Sequence, residues 1–158
     1  MCRRSVIKDG VEHMFLGRYQ HSIDDKGRLI IPARYRELLS NGAFITQGFD
    51  GNLMVLTTET FNAISQNIRG MSITDARARL LKRLLYSSGE QVDVDRAGRI
   101  LLPQFLRQAA GLDGEVVIVG VGEHFEIWSS DHWLEQAKQL EEVQENADLF
   151  AAFDIPAM

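Results

Sequence analysis

Residues 23–32 read IDDKGRLIIP, and residues 94–103 read VDRAGRILLP. Aspartate, glycine, arginine and proline occupy the same relative positions in both stretches. The correspondence continues past the prolines and pairs Gly42 with Gly114, Gly48 with Gly120, Val55 with Ile127, and Phe61 with Trp133. A repeat of this length predicts two copies of one supersecondary unit that pack together, because one copy is too short to bury its own apolar face.

Each stretch predicts a β-hairpin. A strand at residues 15–23 or 91–94 runs into an Asp-x-x-Gly-Arg turn, and a short apolar run leaves that turn. Glycine supplies the positive φ that such turns usually need, and aspartate accepts backbone N–H bonds in an Asx-type turn. The residues expected to shape the two loops are Asp24, Gly27, Asp95 and Gly98.

The segments that follow each turn also match between the copies. Pro32 and Pro103 are expected to be the first residues of short helices, at 33–39 and 104–109, because proline lacks an N–H that a helix start does not need. A second hairpin follows in each copy. Hydroxyl and acidic residues at 57–59 and 129–131 then predict the start of a further helix.

The division of the chain follows from this repeat. We expect an N-terminal extension at residues 1–13, a first repeat at 14–62, linker helices at 63–88, a second repeat at 89–134, and an acidic C-terminal helix and tail at 135–158. The extension has no counterpart in the second copy, so either Met14 is the natural initiator or residues 1–13 form a basic arm.

The linker, from Ile68 to Ser88, has the pattern of an amphipathic helix. Four leucines recur at helical spacing, opposite three basic side chains. The leucines are Leu80, Leu81, Leu84 and Leu85, and the basic residues are Arg79, Lys82 and Arg83. We expect the leucines to pack on a lobe of the protein; a phosphate contact by Arg79 or Arg83 is the alternative.

Composition narrows the class of protein. A chain of 158 residues that is 45% hydrophobic can bury one core, here expected to be divided into two similar lobes. No stretch reaches the roughly 20 apolar residues of a membrane span, and the single cysteine, Cys2, predicts a reducing cytoplasm without disulfides. The four histidines lack metal-ligand spacing, so neither a metal nor another cofactor is expected.

Charge is distributed unevenly along the chain. The net charge is −5, but residues 14–107 carry 13 basic and 9 acidic side chains, whereas residues 108–158 carry 1 and 11. A basic body with an acidic end can present one face to a polyanion while the whole stays acidic. The acidic end either keeps the protein soluble or competes for the basic surface.

The doubled motif, the stretch from Asp95 to Leu112 and the segment Phe125-Glu126-Ile127-Trp128 resemble the MraZ family of bacterial transcription regulators. The resemblance covers residues 14–140. It implies a β-rich α+β fold in which both copies form an AbrB-like, double-psi or swapped-hairpin β-barrel. It also implies a nucleoid-associated homo-oligomeric ring on double-stranded DNA, bound to direct repeats in the promoter of the division and cell-wall gene cluster that holds its own gene.

The family's Asp-x-x-x-Arg elements fall on Asp24 with Arg28 and on Asp95 with Arg99. We expect the two arginines to contact DNA, since guanidinium groups bind phosphates or the O6/N7 edge of guanine; ion pairs with the aspartates or with a neighbouring subunit are the alternative. Further candidates for DNA contact are Lys26, Arg96 and Arg34, while Arg36 and Arg107 are open between DNA, a subunit interface and solvent. The copies differ, because Ala97 replaces Lys26.

Two other functions fit parts of the sequence. A swapped-hairpin protein can bind a protein partner, as an antitoxin does. An enzyme could use Asp24 and Asp95 as a proton-sharing carboxylate dyad, but an arginine four residues after each aspartate favours ionised carboxylates. We therefore expect a DNA-binding regulator, not an enzyme.

Overall fold

Strands and helices alternate in the same order in both copies of the repeat. The computed structural model describes residues 13–145 and 147–155, so the expectations for Cys2 and for residues 1–12 lie outside the described residues. The described strands are β1 (Arg18–Ser22), β2 (Arg28–Ile30), β3 (Ala43–Gln47), β4 (Leu53–Thr57), β5 (Glu90–Val92), β6 (Arg99–Leu101), β7 (Glu115–Gly120) and β8 (His124–Ser129). The described helices are α1 (Ala33–Leu38), α2 (Thr58–Arg69), α3 (Ala76–Ser88), α4 (Gln104–Ala109), α5 (Ser130–Glu145) and a 3-10 turn (Ala147–Phe150).

The helix starts follow the local chemistry of the sequence. The Thr57 hydroxyl accepts the N–H of Thr60 at 3.1 Å at the start of α2, and the Ser129 hydroxyl accepts the N–H of His132 at 3.2 Å at the start of α5. The short helices begin at Ala33 and Gln104 as expected, and Pro32 and Pro103 occupy the cap position immediately before them instead of the first helical position. Their fixed φ still directs the chain into each helix.

The hairpin expected around each Asp-x-x-Gly-Arg turn is limited to the turn itself. One bridge, between Ile23 and Leu29, joins the two arms of the first turn. Beyond the turns every arm pairs with the other copy: β1 with β7, β5 with β3, and β2 with β6. This exchange is the swapped-hairpin arrangement, in which each arm hydrogen-bonds to a strand of the other copy.

The two copies are related by an approximate twofold axis. The large sheet has the order β1-β7-β8-β4-β3-β5, which reads the same when equivalent strands are interchanged. At its centre Met54 pairs with its counterpart Glu126. In the two-stranded β2–β6 ribbon, Leu29 likewise pairs with its counterpart Ile100. The axis therefore passes through the middle of both the sheet and the ribbon.

One core serves both copies, so the expected division into two lobes is wrong. Side chains alternate across a strand, so each sheet has two distinct faces. The inner face of the large sheet packs on the ribbon and on α1 and α4, and the cluster includes Leu29, Ile100, Val55, Ile127 and Tyr35. Because strands of one copy lie between strands of the other, neither copy retains a separate interior.

The outer face of the large sheet is covered by the longer helices. Met54 packs with Ile68 of α2 and Leu85 of α3, while Val117, Val119 and Trp128 pack with Trp133 of α5. The molecule therefore has three layers: the ribbon with the short helices, the large sheet, and the long helices. The Asp-x-x-Gly-Arg loops and the long helices lie on opposite sides of the sheet.

The linker region expected to hold helices at 63–88 contains the end of one helix and the whole of a second. Helix α2 ends at Arg69, and α3 starts at Ala76 after Asp75, whose carboxylate accepts the N–H of Arg77 at 2.9 Å. Leu81 and Leu85 face the sheet as expected. Leu80 is 63% exposed, so its assignment to the packed stripe is wrong. Adjacent leucines differ by about 100° around a helix, and only one line of them can face the sheet.

No helix among residues 13–145 and 147–155 is long and apolar enough to span a bilayer.

Candidate nucleic-acid interface

The first Asp-x-x-Gly-Arg loop is organised around the carboxylate of Asp24. Its Oδ1 atom accepts the N–H of Lys26 at 3.0 Å and that of Arg28 at 2.8 Å. Its Oδ2 atom accepts Nε of Arg28 at 2.8 Å. The turn closes through the N–H of Gly27, which donates to the Asp24 carbonyl at 3.0 Å, and Gly27 has a φ of 82°. One carboxylate thus fixes both the loop backbone and the arginine side chain.

The second loop repeats this geometry almost atom for atom. Asp95 Oδ1 accepts the N–H groups of Ala97 and Arg99, both at 2.9 Å, and Oδ2 accepts Nε of Arg99 at 3.0 Å. Gly98 has a φ of 79°. The loop-shaping geometry expected of the aspartates and glycines is therefore present in both copies, as is the ion pair that was the alternative for the arginines.

These contacts keep both aspartates ionised. The pKa of Asp24 is lowered chiefly by the backbone N–H of Arg28, and the pKa of Asp95 chiefly by that of Arg99; the guanidinium groups add to the effect. A proton-sharing dyad needs one carboxyl whose pKa is raised. Neither loop provides one, so the geometry does not favour the carboxylate-dyad alternative.

The ion pair with aspartate uses only some of the N–H donors of each guanidinium group. The bond to aspartate uses Nε, and an arginine has further N–H donors on its two terminal nitrogens. Arg28 and Arg99 have side chains that are 30% and 29% exposed. Each arginine is thus held in one orientation by its aspartate and retains donors for an external acceptor, so the ion pair and a DNA contact are compatible.

The β2–β6 ribbon brings the two arginines onto one surface, together with two apolar side chains. Leu29 and Ile100 face the core, so the neighbouring positions on each strand face outward. Arg28 pairs with Leu101, and Ile30 pairs with Arg99. Ile30 is 46% exposed and Leu101 is 57% exposed. We call Arg28, Ile30, Arg99 and Leu101 the ribbon face.

The two apolar members of the ribbon face were missed in the sequence. Ile30 and Leu101 belong to Ile/Leu runs that indicate a buried strand. The available signal is period-two alternation, but strands of three residues are too short to reveal it.

Each loop rests on an arginine from the other copy. Nε of Arg36, on α1, donates to the Ile31 carbonyl at 2.8 Å, and the Arg36 guanidinium lies against Gly98: a Cβ at Gly98 would be 2.2 Å from Cζ of Arg36. Arg107, on α4, makes the equivalent contact, where a Cβ at Gly27 would be 2.9 Å from its Cζ. Arg36 and Arg107 were expected to face DNA, a subunit interface or solvent. A position beneath the opposite loop was not expected.

The cross-copy contact continues through the backbone. The N–H of Ile31 donates to the Gly98 carbonyl at 2.9 Å, and the N–H of Leu102 donates to the Gly27 carbonyl at 2.8 Å. At each end of the ribbon, a backbone hydrogen bond therefore joins the strand of one copy to the loop of the other copy.

The remaining candidates differ between the copies. Lys26 and Arg96 are both exposed, but they occupy different positions in their loops, where Ala97 and Asp25 are the respective counterparts. Arg34, exposed on α1, corresponds to Phe105, which is 45% exposed on α4. The ribbon face is nearly symmetric, whereas its surroundings are not. Among the described residues no cluster of three or more side chains with metal-ligand chemistry is present.

The arrangement is suited to binding an anionic double helix. A two-stranded ribbon fits the major groove of B-form DNA, fixed arginines can donate to phosphates or guanine, and exposed aliphatic groups can contact thymine methyls. The arginines do not have to be ordered on binding, because aspartate already orders them.

Comparison with known proteins gives a consistent picture. The family model described as MraZ protein, antitoxin-like, matches residues 14–84 and again 85–154. A protein named transcriptional regulator MraZ from Roseiflexus castenholzii is 45% identical over 138 residues, which cover 87% of this chain and 94% of that protein. Its namesake from Moorella thermoacetica is 45% identical over 143 residues, covering 90% and 100%. That from Dictyoglomus thermophilum is 46% identical over 133 residues, covering 84% and 90%.

Proposed function

This chain belongs to the MraZ family, and we propose that it is a transcriptional regulator that binds double-stranded DNA through the ribbon face. The observation that carries this proposal is the pair of aspartate-fixed arginines, Arg28 and Arg99, which the β2–β6 ribbon holds on one surface. The relatives' name supports regulation of transcription.

Within this surface we assign different roles to different side chains. Arg28 and Arg99 contact phosphates or guanine, while Lys26, Arg96 and Arg34 add phosphate contacts around them, because they are exposed at or beside the loops. Asp24, Gly27, Asp95 and Gly98 shape the loops and do not contact DNA themselves. Arg36 and Arg107 are positioning residues that support the opposite loop from below.

One ribbon face is a small recognition surface, so we further propose that several copies act together. A homo-oligomeric ring can present several ribbon faces to direct repeats in one promoter, and linked weak contacts reinforce one another. We propose that this promoter precedes the division and cell-wall gene cluster to which the chain's own gene belongs, and that the protein acts in the cytoplasm on the nucleoid. The neighbouring genes test the choice of promoter.

Direct DNA binding is tested with the chain's own upstream region in a fluorescence anisotropy titration at several salt concentrations. We expect tight binding that weakens steeply with salt, because phosphate contacts release counterions. Arg28→Ala and Arg99→Ala should each cost about 1–3 kcal/mol of binding free energy and leave the circular dichroism spectrum unchanged. Tight binding that neither substitution affects would contradict the assignment of the ribbon face.

Cooperation between copies is tested with the spacing of the repeats. Deleting one of two adjacent repeats should lower apparent affinity on the order of 100-fold, because it removes the intramolecular contact. Inserting about 5 base pairs between them turns one repeat to the opposite side of the helix, and inserting about 10 restores its facing. Equal affinity for all spacings would mean that each subunit binds alone.

An antitoxin-like role with a protein partner is the second candidate, because the matching family model carries that description. It predicts capture of a specific protein by immobilised wild-type chain and no salt-dependent binding to the upstream DNA. Arg28→Ala serves as the control, since capture through a surface other than the ribbon face should survive that change.

A further inference from the structure

Each end of the β2–β6 ribbon is built from both copies of the repeat. The N–H of Leu102, just after β6, donates to the Gly27 carbonyl at 2.8 Å, so the first loop and the start of α4 lie at one end. The N–H of Ile31, just after β2, donates to the Gly98 carbonyl at 2.9 Å, so the second loop and the start of α1 lie at the other. The first end comprises residues 24–28 and 101–105, and the second end comprises residues 30–34 and 95–99.

The second end has a surplus of positive charge. Residues 30–34 and 95–99 together carry three basic side chains and one acidic side chain. Two of the basic side chains, Arg34 on α1 and Arg96 in the loop, are exposed. Glu37, one turn further along α1, lines a separate cleft beside the start of α2. Because the strands cross between copies, these two arginines, 62 positions apart in the chain, belong to one end.

The first end is electrically balanced and more apolar. Its residues carry two basic and two acidic side chains, and the exposed Lys26 lies next to the exposed Asp25. Phe105 stands where the second end has Arg34, and it is 45% exposed. Leu101, on the ribbon face, is 57% exposed. The two ends therefore differ in the chemistry that they present outward.

The ribbon face alone gives no reason to bind DNA in one direction. Arg28 corresponds to Arg99, and Ile30 corresponds to Leu101, across an axis that passes through the middle of the ribbon. A protein with twofold symmetry matches a palindromic site, which it fits equally well in both directions. Phosphate contacts carry no sequence information directly. A preferred direction therefore has to come from base contacts of the side chains that differ between the ends.

We propose that the ribbon binds a non-palindromic DNA element in one direction, with guanine at the second end and thymine methyl groups at the first end. Arginine donates to O6 and N7 of guanine, whereas phenylalanine and other apolar groups contact the C5 methyl of thymine. Arg96 has enough donors to reach a base edge as well as a phosphate. Phe105 and Leu101 supply the apolar contacts at the first end.

This inference rests on the proposed binding of DNA through the ribbon face, and it adds a direction to that binding. It also fits the proposed direct repeats. Direct repeats all point the same way, so each copy that binds one of them has to lie on the DNA in the same direction. A ribbon with two identical ends would not distinguish a direct repeat from an inverted one.

The direction is tested by cutting DNA from one known end of the ribbon. Ala33 and Gln104 are equivalent, exposed first residues of α1 and α4. The chain has a single cysteine, Cys2, so Ala33→Cys or Gln104→Cys in a Cys2→Ser chain can carry one iron–EDTA group. On a duplex with one repeat from the chain's own upstream region, we expect each position to cut on one side of the repeat only. The two positions should cut on opposite sides, and cuts on both sides from each position would overturn the proposal.

An exchange variant tests which side chains set the direction. It moves the unlike side chains to the opposite ends and keeps the net charge, and all six positions are exposed. Its changes are Asp25→Arg, Lys26→Ala, Arg34→Phe, Arg96→Asp, Ala97→Lys and Phe105→Arg. With the same cutting groups, the cuts should move to the other side of the repeat. The matched control, Ile30→Leu with Leu101→Ile, exchanges only the apolar pair of the ribbon face and should keep the wild-type pattern. An unmoved pattern in the exchange variant, or a moved pattern in the control, would contradict the assignment; circular dichroism verifies that both are folded.

Modified bases identify the contacts in the anisotropy titration. Uracil in place of thymine removes one methyl group, and at the first end it should weaken binding on the order of fourfold; Phe105→Ala should abolish that difference. 7-Deazaguanine removes N7, and at the second end it should weaken binding by about 5- to 150-fold, but less in Arg96→Ala. Equal losses at both ends would overturn the proposal. Absence of DNA binding at every salt concentration would remove the proposed function as well, whereas tight binding in both directions would remove only this inference.

Discussion

Gly98→Ala tests whether Arg36 supports the opposite loop, because Gly98 lacks a side chain for two separate reasons. Its φ of 79° is unfavourable for alanine, by roughly 1–2 kcal/mol. Its Cβ would also lie 2.2 Å from Cζ of Arg36, so that side chain must move. Moving it breaks the hydrogen bond from Nε of Arg36 to the Ile31 carbonyl, which costs about 1–3 kcal/mol. We therefore expect Gly98→Ala to lower the free energy of unfolding by about 2–5 kcal/mol.

The crowding part of this loss should disappear when Arg36 is truncated. In the double variant Gly98→Ala/Arg36→Ala the unfavourable φ remains, but the collision does not. The double variant should therefore be more stable than the sum of the two single effects predicts, by about 1–3 kcal/mol. Arg107→Ala is the matched control: it removes the equivalent guanidinium, which lies against Gly27 instead. Its effect should add to that of Gly98→Ala within about 0.5 kcal/mol.

Urea unfolding at one fixed protein concentration measures these free energies, since assembly makes stability depend on concentration. Binding to a single DNA repeat is measured alongside, and Gly98→Ala should weaken it because Arg99 follows Gly98 directly. Strict additivity with Arg36→Ala would refute the contact between Arg36 and the opposite loop. Equal coupling to Arg36 and Arg107 would refute the cross-copy specificity.

Three further predictions concern the β2–β6 ribbon and the two loops beside it. Arg28→Lys should weaken binding to DNA by about 1–3 kcal/mol in the anisotropy titration, because one ammonium lacks the fork of donors that serves a carboxylate and a second acceptor together; unchanged affinity would contradict this. Ile100→Ala should lower the free energy of unfolding by about 2–5 kcal/mol. Its neighbour Leu101→Ala should change that free energy by less than about 0.5 kcal/mol and should weaken DNA binding. If urea unfolding gives the opposite order, the two faces of the strand are reversed. The lowered pKa values of Asp24 and Asp95 imply that loop stabilisation is present above the ordinary value of 3.8 and is lost as pH falls through the lower, folded values; a carbon-detected NMR titration with midpoints at or above 3.8 would disagree.

The local chemistry of the loops could be predicted from the sequence, because its interactions span few residues. An aspartate followed by glycine three residues later predicts the turn, and the carboxylate, the turn hydrogen bond and the positive φ are all present. The same holds for the helix starts at Thr57 and Ser129, where one hydroxyl accepts an N–H three residues ahead. The repeat itself also predicted an internally symmetric fold.

The partner of each strand could not be predicted from neighbouring residues. The pattern around Asp24 indicated a local hairpin, but β1 and β2 pair with β7 and β6 of the other copy. A period-two pattern states which side chains share a face, and it does not state which strand lies alongside. The exchange became an expectation only through the family resemblance.

The two Asp-x-x-Gly-Arg loops follow from local sequence alone, since the hydrogen bonds of each aspartate lie within five consecutive residues. The side chains that surround those loops depend instead on long-range packing. The pairing of β2 with β6 placed Ile30 and Leu101 on the outward face, and the crossing of the two copies placed Arg36 against Gly98 and Arg107 against Gly27. These contacts join residues that are distant in the chain, and their geometry depends on how all the strands pack at once.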